Sequence, residues 1–243
     1  MTTEAQGSDG LELRLRRVAA SVPLDRIAFA EVELVAVGGA AGPVSARLNI
    51  VEGDLEILVT PAGGPPVRAA WPWPVDSAPR SVELTAGERL VASVPLLAAG
   101  SVPLFPVPGR YELVARFTAR PGVTLESRPV ALVRTAADDA ALAAGLGDRD
   151  VLQSLLGAGV IGAASPKLER LADSSDAGTA AAANLALGRT EALAGAADDP
   201  AVARAVAALL PPGATGQDER RDAVASRAAT RDAAMLNGRP VGE

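Results

Sequence analysis

The stretch Pro108-Gly109-Arg110-Tyr111-Glu112-Leu113-Val114-Ala115-Arg116-Phe117 decides the fold. A Pro-Gly pair turns the chain. Apolar and polar residues then alternate, the period of a half-buried β-strand. Tyr111 is the chain's one tyrosine and stands where that strand begins. The position suits a tyrosine corner, with the ring buried and the hydroxyl returned to a nearby backbone group. That arrangement predicts a two-sheet β-sandwich, a fold that binds or spaces things without saying what is bound.

The neighbouring sequence supports a β region from 11 to 135. Leu11, Leu13 and Leu15 alternate with Glu12, Arg14 and Arg16, which predicts a strand with one buried face. Further strands are expected over 27–37, 44–51, 55–59, 81–84, 90–97, 110–118 and 125–133. Turn signals such as Glu52-Gly53-Asp54 and Ala86-Gly87-Glu88 separate them. Residues 61–66 read as a loop and 1–10 as a disordered arm. All six aromatic residues, Phe29, Trp71, Trp73, Phe105, Tyr111 and Phe117, fall in the β region, so the well-defined core is expected there.

At Thr135 the pattern changes to alanine-rich, helix-forming sequence over 136–211. Asp138-Asp139 opens a first helix, with acids where the helix dipole favours them. A second runs from Asp148 to Leu156 and stops at Gly157. A third begins at Ser165-Pro166 with serine as cap and carries Leu168 and Leu171 on one face. A fourth spans 179–193 and a fifth opens at Asp199-Pro200. Residues 212–243 read as a flexible tail. The helical part holds no aromatic residue, so its Ala/Leu faces bury little area. They are expected to lean on the sandwich, on a second copy, or on a partner.

Composition removes several function classes. The formal net charge is -6, so phosphate counterion release offers nothing and nucleic acid is not expected. The basic residues are 22 arginines, scattered, and the single Lys167. With neither cysteine nor histidine, the chain lacks thiolate chemistry, the commonest zinc ligands and the commonest general base. No metal and no cofactor are expected. No apolar run of membrane-spanning length occurs, and residues 1–10 have no signal-peptide pattern. The expectation is a cytoplasmic protein as the sequence stands, or an exported one if a leader was removed.

Trp71-Pro72-Trp73-Pro74 is the sharpest candidate binding site. Residues two apart in an extended chain face the same way, and the prolines hold that geometry. Two indoles would grip a glycan, a proline-rich peptide or an apolar edge; the competing reading has them cap one end of the sandwich. The acidic pairs Asp138-Asp139, Asp148/Asp150, Asp173/Asp176 and Asp198-Asp199 sit before helices, where capping accounts for them. A Ser-Lys dyad at Lys167 would need a buried, desolvated lysine. No catalytic residue is assigned.

The order of motifs over 11–134 resembles bacterial immunoglobulin-like modules grouped with intracellular proteinase inhibitors. The likeness lies in Val44 to Asn49 followed by Gly53-Asp54-Leu55-Glu56-Ile57 and Thr60-Pro61-Ala62-Gly63. It continues in Leu84 to Glu88, in the Pro108–Leu113 corner, and in Ser127-Arg128-Pro129-Val130. The resemblance implies an immunoglobulin-like sandwich and a binding role; no inhibitory loop matches. Residues 173–189 have a fainter likeness to one tetratricopeptide-like helical pair, with no second copy. The expectation is a non-enzymatic protein-interaction or scaffold protein, taking an unidentified protein partner or forming a homo-oligomer. The alternatives are a carbohydrate-binding or envelope-associated module and a proteinase inhibitor.

Overall fold

The computed structural model describes residues 10–38, 42–50, 53–70, 78–157, 159–189, 235–236 and 239–240. In chain order the first strands are β1 (Leu11–Arg17), β2 (Ser21–Pro23), β3 (Ala28–Ala36), β4 (Gly42–Ser45), β5 (Leu55–Pro61), β6 (Val67–Ala69) and β7 (Ser81–Leu84). There follow β8 (Arg89–Leu96), β9 (Ala98–Ala99), β10 (Val102–Pro103), β11 (Gly109–Arg120), β12 (Val123–Glu126) and β13 (Val130–Thr135). The helices are α1 (Ala140–Leu146), α2 (Arg149–Gly157), α3 (Ser165–Ala172) and α4 (Ala177–Ala186). Beyond them come β14 (Met235–Leu236) and β15 (Arg239–Pro240). The protein is mainly β, with helices in its later part.

Two sheets carry the core. In the first, β3 lies between β1 and β8, all antiparallel, and Leu236 adds a parallel bridge at Val91. The second runs β2-β13-β11-β5-β6, with β12 also paired to β11. Period-two alternation sends Leu11, Leu13 and Leu15 of one sheet and Ile57, Leu113 and Phe117 of the other into a single buried cluster. The sandwich expected from the alternation is therefore present as two sheets sharing one apolar interior. Tyr111 is buried, and its hydroxyl donates to the Val107 carbonyl at 2.7 Å, so the tyrosine corner forms as read. The turn before β8 forms too: Gly87 takes φ +85°, and Glu88 N donates to Thr85 O at 3.0 Å.

Several boundaries differ from expectation. The strand predicted over 44–51 ends at Ser45. There Arg47 Nε and Nη2 grip Asp54 at 2.8 and 2.6 Å and Ser45 Oγ donates to the same carboxylate. These bonds turn the chain, and among the described residues β4 pairs with β7 alone, in a separate ribbon. The strand predicted over 125–133 is two strands. Ser127 binds Ala115 through backbone and hydroxyl, its N donating to Ala115 O and its Oγ accepting from Ala115 N, both at 2.9 Å. Pro129 lacks a donor to continue the ladder.

The helices begin where acids cap them, with one exception. Asp139 accepts from Ala141 N and Leu142 N, Asp148 from Asp150 N and Val151 N, and Asp176 from Thr179 N. The Asp176 cap starts α4 at Ala177, not at 179, and α4 ends at Ala186 before Gly188 at φ +75°. It is thus shorter than the 179–193 predicted. Ser165 is not the cap of α3: Ala164 holds that position without a side-chain bond, and Ser165 lies inside the helix. The helix predicted from Pro200 lies outside the described residues, as does all of the 212–243 tail except β14 and β15. Among the described residues no helix is long and apolar enough to cross a membrane.

The helices lie against the first sheet. Phe29 points away from the sandwich core. With Ile27 and Leu97 it joins Leu152, Leu155, Leu168 and Leu171 in a second buried cluster. Ile27 N donates to Thr179 Oγ1 at 2.9 Å, a buried bond from the residue just before β3 to α4. Phe29 at the start of β3, with Ile27, Leu97 and Ala98 beside it, is the support that the aromatic-free helices find there.

Phe29→Ala is expected to lose about 3–5 kcal/mol, measured by chemical denaturation, because the ring joins sheet to helices. Tyr111→Phe is expected to lose about 1 kcal/mol in the same measurement, since only the hydroxyl bond is removed.

Candidate binding cleft

β13 places the central residue. Leu132 points into the core, so Arg134, two residues on, shares its face. An arginine thus enters the interior, and only 5% of its surface remains exposed. Its Nη2 donates to the Arg26 carbonyl at 2.9 Å. Its Nε and Nη1 have no hydrogen-bond acceptor. Phe105 lies beneath the guanidinium, 5.0 Å from Cζ to ring centroid, and meets Tyr111 edge-on at 4.9 Å and 84°. Burial pushes the Arg134 guanidinium down to about 10, against smaller upward effects of Tyr111 and Asp25. It remains cationic at neutral pH.

Arg134 lines a cleft of about 170 Å³ between the sandwich and α1. Leu24, Ile27, Leu96 and Leu97 come from the sheet side, Phe105 from the loop after β10, and Ala143 and Leu146 from α1. Arg26 and Arg134 are the two polar side chains of this lining. Arg26 pairs with Asp138 at 3.2 Å at the surface. Asp25 is buried; its Oδ2 accepts from Asp139 N at 3.0 Å and its Oδ1 has no partner. The turn carrying Asp25 and Arg26 is held by Leu24 N, which donates to Thr135 O at 3.2 Å.

Such a site supplies a buried positive charge, unmet donors and aliphatic walls. Arginine does not exchange protons readily near neutrality, so the two polar groups offer recognition and charge stabilisation in place of general acid–base work.

The candidates read from sequence stand elsewhere. Trp71 and Trp73 lie outside the described residues, as do Asp198 and Asp199. Lys167 is 47% exposed and ion-paired with Asp148, not desolvated beside a serine. That hydrogen bond from Lys167 is the main reason the Asp148 carboxyl is held below the usual range. The remaining acids serve structure: Asp150 accepts from Ala163 N at 3.2 Å, and Asp173 closes the end of α3. Sequence reading missed Arg134 by treating the arginines as scattered. The signal was its phase, an arginine at the inward position of an otherwise apolar alternation.

No protein-family model and no curated protein matches the chain. Among solved structures, a β-glucosidase from Listeria innocua aligns at 15% identity and a TM-score of 0.30, over 52% of this chain and 16% of its own. A β-glucosidase from Erythrobacter marinus gives 14% and 0.31, over 51% and 15%. The sporulation control protein Spo0M from Bacillus subtilis gives 10% and 0.32, over 56% and 53%. The chain spans less than two thirds of each. At TM-scores this low these likenesses carry no argument about fold or activity.

Arg134→Met keeps an unbranched side chain beside Phe105 and removes a buried charge whose donors are unmet. The expected outcome is a loss of about 1–3 kcal/mol, because the buried Asp25 carboxylate and the Arg26 carbonyl both lose the guanidinium. Unchanged stability would mean that the penalty of burying the guanidinium offsets both interactions.

Proposed function

We propose that this chain is a non-enzymatic protein-interaction module, an immunoglobulin-like sandwich with a helical extension, and that it takes its partner at the Arg134 cleft. The observation that carries the reading is Arg134 itself: a buried cation with unmet donors beside an apolar cleft between two layers of structure. Such clefts with a few placed polar groups are where ligands are held. The immunoglobulin-like assignment draws on the Tyr111 corner and on the two sheets sharing one core. The non-enzymatic assignment draws on the cleft lining, whose polar members are arginines.

The test is affinity capture from native extract with the whole chain, an Ala143→Trp variant that fills the cleft, and a Trp71→Ala/Trp73→Ala variant. The expected outcome is one protein that binds saturably, binds again when purified, and is lost on Ala143→Trp alone. Loss only on the tryptophan variant would move the contact surface to that loop. A turnover activity that survives purification of the chain to homogeneity would overturn the reading.

A further inference from the structure

We propose that the cleft holds the C-terminal residue of a partner protein, its α-carboxylate paired with Arg134 and its aliphatic side chain against the cleft walls. The inference rests on the reading of the chain as an interaction module and names what that module recognises.

Charge comes first. Arg134 Nε and Nη1 lack acceptors, and the guanidinium's one hydrogen bond goes to a neutral carbonyl. A carboxylate is the acceptor with which guanidinium makes its strongest hydrogen bonds. Phe105 covers a face of the group, and stacking on a face leaves the in-plane N–H edge for an anion. Both donors are buried, so binding the carboxylate requires a local rearrangement at the guanidinium.

The number of charges is limited as well. Arg26 is engaged with Asp138, and the Asp25 carboxylate already acts on Arg134 without a hydrogen bond to it. One cation so partly balanced suits a singly charged carboxylate better than a doubly charged phosphate. Size points the same way: the cleft, about 170 Å³, is small among ligand pockets and suits the end of one chain better than a folded surface. The walls of Leu24, Ile27, Leu96, Leu97 and Leu146 match an aliphatic side chain. A chain terminus supplies carboxylate and apolar stem together, and its capture is a recurring mode of peptide recognition.

The experiment uses the whole protein and fluorescence anisotropy of a short N-terminally labelled peptide ending in leucine. Its arms are the same peptide with an amidated terminus, isohexanoate as a free acid, and the variants Arg134→Met, Ala143→Trp and Arg68→Ala. The free-acid peptide is expected to bind, with affinity falling about tenfold or more on amidation and on Arg134→Met. Ala143→Trp should abolish binding. Arg68→Ala should leave it unchanged, because Arg68 sits on β6 paired with Glu56. Equal binding of the amidated peptide overturns the proposal, as does absence of peptide binding at millimolar concentration. Isohexanoate binding without peptide binding overturns it in favour of a free acid. Should Arg134→Met fail to fold, amidation on the parent protein still decides. A partner captured by the parent and lost on Ala143→Trp, with no peptide bound, leaves the interaction reading standing and removes the carboxylate; loss of both removes both.

Discussion

The Tyr111 hydroxyl held by the Val107 carbonyl is the contact on which one end of the molecule depends. It fastens the segment between β10 and β11 to the start of the longest strand. That segment carries Phe105, whose ring packs on the edge of Tyr111 and under Arg134. One side-chain-to-backbone bond therefore orients an aromatic pair, a buried cation and one wall of the cleft. A net hydrogen bond contributes only about 1 kcal/mol, so its role here is geometric more than energetic.

The second constraint is the turn from Pro23 to Ile27. Arg26 gives its carbonyl to Arg134 and its side chain to Asp138. Asp25 receives Asp139 N just before α1, and Ile27 N reaches Thr179 on α4. A single turn between two strands thus meets the second sheet, α1 and α4. Around it, Phe29, Ile27 and Leu97 supply the large apolar contacts that alanine-rich helices cannot make among themselves. Helices and sheet therefore share a core, and a change at this turn is felt in both.

Polar groups are left unmet beside this junction. Asp25 Oδ1, Arg134 Nε and Nη1 are buried without hydrogen bonds, and each such group weakens the folded state. Apolar side chains of similar size would often be as stable. A cation held in this way resists its own burial and gains from an anionic ligand, since binding to the folded form alone adds to stability. The acids at Asp139, Asp148 and Asp176 are the contrast: each ends on backbone N–H groups it satisfies, and none is free to act.

Local pattern in the sequence determined what depends on neighbours along the chain. The alternation at Leu11–Leu15 and Leu113–Phe117, the Tyr111 corner, the Gly87 turn and the acid-capped helix starts all follow from period, φ preference or capping, each set within a few residues. The early stop of β4 was not legible, because it depends on Arg47 meeting Asp54 across a turn. Nor was the break at Ser127, which depends on Ala115 of another strand. The cleft was the least legible part. Arg134 announced only its phase; its walls come from residues between Leu24 and Leu146, brought together by the docking of α1 on the sandwich. Periodicity states which face a residue takes, while the identity of what lies opposite that face is decided only when distant segments pack.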